Sequence, residues 1–587
     1  MLQAEEFVKK INENMDPHIR YKLSRPIDDI KQMLESSAEL YPDNTAFWVK
    51  KGRGAEYENI TYEKTLVDVN ALGTAFIGRG LKGKRIAVIG ENSYEWSISY
   101  LAAVCGTGII VPLDKELNAN ELMQLVVNAE VSCVLFDAKY EKKFKEMQAS
   151  GETVIKLLVN MESENSSNEV VSLKELLIEG QQSINEGNRN FIDAEIDRET
   201  LNILLFTSGT TGVSKGVMLC HKNIVEDLMS APTVLEIRSD DIFFSILPVH
   251  HTYECTCGFL LPLYKGAAIA YCEGLKYITK NLEEISPTVF LGVPILFENL
   301  YRKIWQNVRK QGKESLLRKV IKVNRATKKI GLDLGNVFLK DIRAIFGGRM
   351  RLMICGGAAI NPETLDGLRD FGIMALQGYG LTECSPIGAL NPDKAAKSAS
   401  IGRALPNFDM KVVEINEEGI GEICLKGGNV MLGYYNMPEA TAEVLKDGWF
   451  YTGDLGYIDS EGYAFITGRK KNVIITKNGK NVYPEELEYY LSSIPYILES
   501  FVYDRESEDG LDTVIVASIR IDEEEVTEFL GEGYTDDMVE ELLWNEVDKI
   551  NQTSPYFKKI KRIVLRKAEF EKNTSKKIKR FVEANKQ

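Results

Sequence analysis

Apolar residues form two kinds of pattern along the first third of the chain, a helical repeat and short continuous runs. Residues 28–41 carry apolar side chains at helical spacing, and Thr61 followed by Glu63 is typical of a helix start. Mainly apolar runs at 85–90 and 133–136 predict buried strands, since strands covered on both faces lack polar alternation. Strands that alternate with helices indicate crossover units and a mostly parallel sheet.

The most apolar long stretch runs from Trp96 to Leu113. Gly106 and Gly108 interrupt it and Pro112 lies near its end, so it indicates a buried helix followed by a buried strand and not a membrane span. Other elements predicted in this part of the chain are strands at 44–49, 109–112 and 201–206 and helices at 96–104 and 119–129.

The pattern weakens or changes in three later stretches. Residues 149–199 are rich in Ser, Asn and Glu and predict a surface excursion. Residues 301–340 predict a helical stretch dense in Lys and Arg, either a solvated face or a contact for an anionic ligand or lipid headgroups. Residues 401–466 show short strands and many Gly turns, which is typical of a small β subdomain. After Gly468 the sequence becomes a charged segment in which helices and strands alternate, so we expect the main domain boundary near residue 470.

Composition narrows the class of protein. The chain has 587 residues, 44% of them hydrophobic and 27% charged, which is close to the average of folded soluble proteins. The net charge of −15 argues against nucleic acid as the main partner. The nine Cys contain no pair of CxxC units, which argues against a zinc ribbon and indicates a reducing compartment. We expect Cys255 and Cys257 to lie on one face of a strand.

The first twenty residues contain early acidic side chains and no apolar core, so they do not resemble a secretory signal. We therefore expect a cytoplasmic protein, with peripheral contact at the inner face of a membrane left open.

The strongest chemical signal is a loop rich in glycine and hydroxyl groups that directly follows an apolar strand. It runs from Thr207 to Gly216 and contains Ser208, Gly209, Thr210, Thr211, Gly212 and Lys215. Its glycines let backbone N–H groups converge on an anion, and the hydroxyls and the lysine add donors, so the loop suits a polyphosphate. It is not a Walker A loop, because Lys215 is followed by Gly216 and not by Ser or Thr.

Two further segments carry candidate nucleotide contacts. The glycine pair within residues 355–359 follows a predicted strand, and such a turn lets a flat ring approach the backbone. In residues 377–383, Tyr379 can stack on a base, Thr382 can contact phosphate and Glu383 can hold Mg²⁺.

Later segments are weaker by themselves. Asp454 lies in a turn where it could hold a ribose diol, although a lone Asp in a turn usually stabilises only the turn. Residues 468–473 and the pair Lys576 and Lys577 are, taken singly, typical of basic surface.

Taken in order, these segments resemble the adenylate-forming superfamily of acyl-CoA synthetases, luciferases and peptide-synthetase adenylation domains. The resemblance extends from about residue 28 to residue 581. It implies an α/β fold class with a large N-terminal domain of stacked α/β layers plus a β subdomain at 1–468. A hinge at 469–471 and a small mobile α+β C-terminal domain at 472–587 are also implied.

The resemblance implies roles residue by residue. The loop of residues 207–216 would hold the β- and γ-phosphates, and Glu383 would ligate Mg²⁺. Asp454 and Arg469 would hold the ribose hydroxyls, and Lys471 would be the hinge. The implied ATP- and AMP-binding residues are Thr207, Ser208, Gly209, Thr210, Thr211, Gly212, Lys215, Gly356, Gly357, Ala358, Gln377, Gly378, Tyr379, Gly380, Thr382, Asp454 and Arg469.

Two positions depart from the family pattern. Ser214 stands where Pro usually precedes the loop lysine, and Lys576 stands where Gly usually precedes the catalytic lysine. The resemblance assigns catalysis to Lys577, since Ile578 and Arg580 then match, and it leaves Lys576 as the alternative.

The implied reaction has two steps. A carboxylate attacks the ATP α-phosphorus to give an acyl-adenylate and pyrophosphate, and a thiol then takes the acyl group and releases AMP. The implied catalytic residues are Lys577, Thr210, Glu383 and His251. Positive charge and Mg²⁺ are needed because both reactants of the first step are anions. Rotation of the C-terminal domain would withdraw Lys577 and admit the thiol.

Four segments resemble long-chain fatty acyl-CoA synthetases. They are residues 247–254, with His251 and Glu254 at the acyl gate, residues 289–301, the basic stretch before residues 346–349, and the tail around Lys577. The preferred function is a long-chain fatty acid–CoA ligase that uses ATP, Mg²⁺ and coenzyme A. The alternatives are a medium-chain, aryl or branched acid, or an acyl carrier protein as acceptor. A remote alternative is a non-catalytic nucleotide- or lipid-binding protein.

Overall fold

The structure is a computed structural model that describes residues 24–52, 54–207, 214–328, 339–507, 512–572 and 578–586. Its strands are β1 (Thr45–Val49), β2 (Glu58–Thr61), β3 (Arg85–Ile89), β4 (Ile109–Pro112), β5 (Cys133–Phe136), β6 (Leu157–Asn160), β7 (Val171–Ser172), β8 (Ile203–Thr207), β9 (Lys215–Leu219), β10 (Ile242–Ser245), β11 (Ala268–Tyr271), β12 (Val289–Gly292), β13 (Leu352–Cys355), β14 (Met374–Gly380), β15 (Ile387–Leu390), β16 (Arg403–Ala404), β17 (Asp409–Val413), β18 (Gly421–Lys426), β19 (Gly433–Tyr434), β20 (Leu445–Lys446), β21 (Trp449–Ile458), β22 (Ala464–Arg469), β23 (Ile474–Ile475), β24 (Asn481–Val482), β25 (Ile497–Glu506), β26 (Thr513–Ile521) and β27 (Ile560–Leu565). Its α-helices are α1 (Ile30–Leu40), α2 (Tyr62–Gly78), α3 (Tyr94–Ala102), α4 (Ala119–Asn128), α5 (Glu141–Ala149), α6 (Leu173–Asn185), α7 (His221–Val234), α8 (Leu261–Lys265), α9 (Ile278–Ile285), α10 (Pro294–Lys310), α11 (Glu314–Lys328), α12 (Lys340–Ala344), α13 (Pro362–Asp370), α14 (Pro438–Val444), α15 (Pro484–Ser492), α16 (Glu523–Leu530), α17 (Asp536–Thr553) and α18 (Arg580–Asn585).

The parallel sheet that the early pattern predicts is present. In the described ranges, strands β3 to β8 pair in parallel within an eight-stranded sheet of order β19-β9-β8-β4-β3-β5-β6-β7. Thr61 caps α2 as predicted, because its hydroxyl accepts from the backbone N–H of Lys64. The apolar stretch from Trp96 is α3, a π-helical turn and then β4, which confirms a helix that leads into a strand.

The prediction for residues 149–199 is wrong. They are not a surface excursion, because β6 extends the sheet beside β5 and α6 packs on α2. The helices are so close that a Cβ on Gly180 would lie 1.8 Å from the Ala71 carbonyl oxygen. The strands here have only four and two residues, which is too short for a clear pattern among polar neighbours.

Cys255 and Cys257 also differ from the prediction. They lie in the π-helical segment Tyr253–Leu260 and not on a strand, and both are buried. Two apolar residues separated by one position fit a strand face, but so short a pattern cannot exclude a helix buried on all sides.

A second large sheet packs against the first. It has the order β16-β15-β14-β13-β12-β10-β11-β1-β2 among the described strands, and β10 to β14 run in parallel. The largest core of the described residues takes side chains from both sheets and from helices. Trp96 and Tyr100 on α3 contact the ring of Phe259 on the π-helical segment Tyr253–Leu260 there. The basic stretch is helical as predicted, in α10 and α11.

The C-terminal third contains the predicted smaller units. Strands β17, β18, β20, β21 and β22 form a five-stranded sheet, which confirms the β subdomain. After it, β25, β26 and β27 form a three-stranded sheet with its own apolar core against α15, α16 and α17. We call residues 472–586 the C-terminal unit. None of the described helices combines the length and the apolar character that a bilayer crossing requires.

Candidate functional site

The predicted phosphate loop joins two antiparallel strands. Thr207 ends β8 and pairs with Lys215 at the start of β9. The loop positions Ser208, Gly209, Thr210, Thr211 and Gly212 lie outside the described residues. The pairing places both ends of the loop at one edge of the sheet.

A tyrosine connects the loop lysine to the predicted magnesium ligand. The Lys215 ammonium lies 4.5 Å from the ring centroid of Tyr434, on β19. The Tyr434 hydroxyl donates to Glu383 Oε1 at 2.8 Å. Burial, reinforced by the Glu383 carboxylate, raises the pKa of Tyr434 well above its usual value, so the phenol remains a donor. Positive and negative groups are thus held one side chain apart at the phosphate end.

The segment that contains His251 contacts both nucleotide motifs. The Thr252 hydroxyl donates to Thr382 Oγ1 at 3.2 Å, and the Tyr253 hydroxyl donates to the Ile354 carbonyl at 2.8 Å. The Tyr253 ring covers Gly356 so closely that a Cβ there would lie 2.9 Å from it. Gly356 is therefore required by packing against Tyr253.

The predicted ribose pair is preassembled. Asp454 Oδ1 lies 2.9 Å from Arg469 Nε, and Asp454 Oδ2 accepts from the Tyr379 hydroxyl at 2.5 Å. Antiparallel pairing of β21 with β22 places Asp454 opposite Arg469. Burial and the Asp454 charge raise the pKa of Tyr379, and attraction to Asp454 raises that of Arg469. Three predicted residues from separate motifs thus form one hydrogen-bonded group.

The other positions of these motifs have distinct placements. The Gln377 side chain is buried and donates to the Ser398 and Ser400 carbonyls, so it holds a neighbouring loop. A Cβ at Gly380 would lie 1.7 Å from the Pro386 carbonyl oxygen, so only glycine fits. Gly378 lies against a leucine of β15, whereas Gly357 and Ala358 are exposed.

The two gate residues face different environments. His251 is exposed, and its Nδ1 accepts from the Tyr253 N–H at 3.4 Å. Glu254 is buried, and its Oε1 accepts from the Ser245 hydroxyl at 2.5 Å. Its Oε2 has no hydrogen-bond partner among the residues that the structure describes. Burial raises the pKa of Glu254 to about 8, which favours the neutral acid over the carboxylate.

The donor set around Glu383 fits a magnesium ion that arrives with a polyphosphate. Mg²⁺ in such sites takes one or two carboxylates and completes its shell with phosphate oxygens and water. Within the described ranges, no group of three or more His, Cys, Asp and Glu side chains is placed to hold a metal ion. Glu383 supplies one carboxylate next to Thr382, which matches that requirement.

The structure describes only one of the predicted functional lysines that follow β22. Lys577 and Lys576 lie outside the described residues, so their role stays a prediction. Lys471 is exposed in the turn Lys470–Asn472 that follows β22. Its neighbour Lys470 pairs with Glu422 at 2.8 Å, which ties the start of the turn to the β subdomain.

Sequence reasoning missed Tyr434, Thr252 and Tyr253. Tyr434 lies on a two-residue strand 51 positions from Glu383, and no local pattern marks it. Thr252 and Tyr253 directly follow His251, so their place in the gate segment was an available signal.

The comparisons with known proteins agree with this geometry. The sequence profile described as "AMP-binding enzyme" matches residues 34–435. Fatty acyl-CoA synthetase A of Dictyostelium discoideum is 30% identical over 514 residues, covering 82% of this chain and 75% of that protein. Long-chain-fatty-acid–CoA ligase 1 of Homo sapiens is 29% identical over 496 residues, covering 79% and 70%.

Solved structures share the fold. The anthranilate CoA ligase AuaEII in complex with anthranoyl-AMP superposes with a TM-score of 0.76 at 19% identity, covering 95% of this chain and 97% of that one. ATP-bound MatB from Rhodopseudomonas palustris gives 0.71 at 24% identity, covering 95% and 99%. The profile match and the relative at 30% identity show that this chain belongs to the AMP-binding enzyme family.

Proposed function

We propose that the protein is a long-chain fatty acid–CoA ligase. It activates the acid with ATP through an acyl-adenylate and transfers the acyl group to coenzyme A, releasing AMP and pyrophosphate. One observation carries the proposal: Tyr434 connects Lys215 to Glu383, and the adjacent residue along the chain, Thr382, contacts the segment that follows His251 through Thr252. That site has the charge distribution that adenylation of an anionic acid requires.

Different residues of the site would bind different parts of the ATP molecule. Asp454, with Arg469 beside it, would accept hydrogen bonds from the ribose hydroxyls, and Lys215 would neutralise the departing phosphates. Thr382 would donate its hydroxyl to the α-phosphate, and its contact with Thr252 positions that oxygen. A magnesium ion held by Glu383 would supply further positive charge when bound. Lys577 would approach the α-phosphate during adenylation and withdraw afterwards.

The long-chain acid is supported by the relatives and by the resemblance of residues 247–254, which include His251 and Glu254, to long-chain fatty acyl-CoA synthetases. Several relatives at 29% to 30% identity are named as fatty acyl-CoA synthetases or long-chain-fatty-acid–CoA ligases. Each buried CH₂ contributes about 0.8 kcal/mol to binding, so a deep apolar tunnel would discriminate strongly by chain length.

An aryl acid is the second candidate. AuaEII, named an anthranilate CoA ligase, superposes over 95% of this chain. The two candidates predict opposite shapes for the acid pocket, a long tunnel or a short flat slot.

Product analysis by mass spectrometry tests the proposal. The protein would be incubated with ATP, Mg²⁺, coenzyme A and acids from acetate to stearate, together with benzoate and anthranilate. Acyl-CoA from the long acids supports the proposal, and product from the aromatic acids alone contradicts it. A Glu383→Gln variant is the matched control for contaminating activity. Acyl-AMP without acyl-CoA would redirect the second step to a carrier-protein thiol.

A further inference from the structure

A basic face of α10 contacts the acidic start of α16, and so connects the body of the protein to the C-terminal unit. Arg302, Gln306, Arg309 and Lys310 have the spacing of neighbours on one side of a helix. The contacts are Arg302 Nη1 to Asp522 Oδ2 at 2.5 Å, Gln306 Nε2 to Glu525 Oε1 at 3.0 Å, Arg309 Nη2 to Glu525 Oε1 at 3.1 Å, Arg309 Nε to Glu528 Oε1 at 3.1 Å, and Lys310 Nζ to Glu524 Oε1 at 3.2 Å. We call these residues the α10–α16 cluster.

The acidic side of the cluster is preorganised. Asp522 is the N-cap of α16 and accepts from the backbone N–H groups of Glu524 and Glu525. The N-terminal end of a helix favours the acidic residues of its first turn. The Glu525 side chain is only 7% exposed and that of Arg309 32%, so this pair is partly shielded from water. The carboxylates at the start of α16 are therefore fixed in an arrangement that matches the spacing of the cations on α10.

The basic side is anchored to the nucleotide site. Helix α10 follows β12, whose neighbour β13 leads into Gly356. Glu298 on α10 accepts from the Asn361 N–H at 3.2 Å, just beyond the glycine pair. Tyr301 packs so closely on α13 that a Cβ at Gly367 would lie 2.3 Å from its hydroxyl oxygen. The cations are thus fixed to the part of the protein that would hold adenine.

We propose that the α10–α16 cluster is an electrostatic latch that holds the C-terminal unit in the observed orientation and releases whenever that unit rotates. The proposal rests on the proposed function, because rotation would serve the two half-reactions. Ion pairs suit this task, since each shifts an equilibrium by only about two- to fivefold and several can be broken without exposing apolar core. They are also weakened by salt, because the screening length falls from about 10 Å at 0.1 M to about 3 Å at 1 M.

The test is a double charge reversal, Arg302→Glu with Arg309→Glu, in the full chain. We expect amide hydrogen exchange in peptides covering residues 294–310 and 523–530 to accelerate by about threefold or more, from the loss of two or more pairs. Salt should accelerate exchange in the wild type and not in the reversed protein. Lys303→Glu is the matched control, since Lys303 is exposed on the same helix and lies outside the cluster.

A charge swap makes the test specific. Arg309→Glu alone should accelerate exchange, and adding Glu525→Arg should restore part of the protection, which simple misfolding would not allow. Unchanged exchange in the double reversal, or equal changes with Lys303→Glu, would overturn the latch.

A kinetic readout separates the latch from the proposed function. Pyrophosphate release from acid and ATP, and thioester formation from supplied acyl-AMP, should change by different factors in the double reversal. Equal factors would overturn the latch. If exchange responds and is rescued by the swap while the wild type performs neither half-reaction, the latch stands and the ligase proposal fails.

Discussion

The interior beneath the nucleotide site and the contact with the C-terminal unit use polar groups in opposite ways. In the interior, Asp227 is fully buried, and it accepts from the Ile387 N–H at 3.0 Å and from Asn429 Nδ2 at 3.2 Å. At the contact, the ion pair of Arg302 and Asp522 is partly exposed to water. The comparison shows that buried hydrogen bonds are costly to lose and fix the interior in one arrangement, whereas half-exposed ion pairs can be exchanged for water at a small cost in free energy.

The largest expected effect comes from the proposed catalytic lysine. Lys577→Ala should lower acyl-adenylate formation by about 10²–10³-fold, because a positive charge at the transition state is lost. Thioester formation from supplied acyl-AMP should survive. Lys576→Ala is the control, and a loss confined to that variant would move the role by one position.

The next prediction concerns the turn after β22, about which the C-terminal unit would rotate. Lys471→Pro should spare pyrophosphate release and block thioester formation, because proline fixes φ near −65° and would oppose rotation. Lys471→Ala should leave both half-reactions active. Equal loss of both in the proline variant would contradict a hinge at this residue.

Removing a buried hydrogen-bond acceptor should lower the free energy of unfolding more than removing an exposed ion pair. Asp227→Ala leaves the buried Ile387 N–H without its acceptor, so we expect a loss of about 1–3 kcal/mol in the free energy of unfolding. Arg189→Ala, which removes an exposed pair with Asp193, should cost under about 0.5 kcal/mol. Urea denaturation measures the free energy of unfolding of both variants. Similar losses would contradict the distinction between buried hydrogen bonds and exposed ion pairs.

A separate prediction concerns the pH dependence of stability at Glu254. Its pKa is about 8 in the folded protein, against about 4.3 for an unfolded Glu, so the folded state binds a proton that the unfolded state lacks between these values. This group therefore destabilises the fold progressively as pH rises from about 4.3 to 8, and no further above that. The melting temperature of Glu254→Gln relative to wild type should rise over this range and then level off. A difference independent of pH would show that Glu254 is already ionised.

Local sequence was enough for the elements whose pattern is complete within one segment. Helix α2 begins at the predicted cap Thr61, and the strand before the phosphate loop ends at Thr207. The sequence failed for residues 149–199, because the short strands β6 and β7 are recognisable only when paired with the rest of their sheet. The same reason explains the strand predicted at Cys255 and Cys257, where burial on all sides removed any periodicity.

The sequence by itself determined the order of the motifs, the glycines that close approaches require and the carboxylates and cations available for chemistry. Only the tertiary structure decided which of them meet. Tyr434 joins Lys215 to Glu383, and Arg302 meets Asp522 across 220 positions of the chain. Backbone preferences act over a few residues and can be read locally, whereas side-chain contacts depend on how sheets and helices pack, which distant parts of the chain decide together.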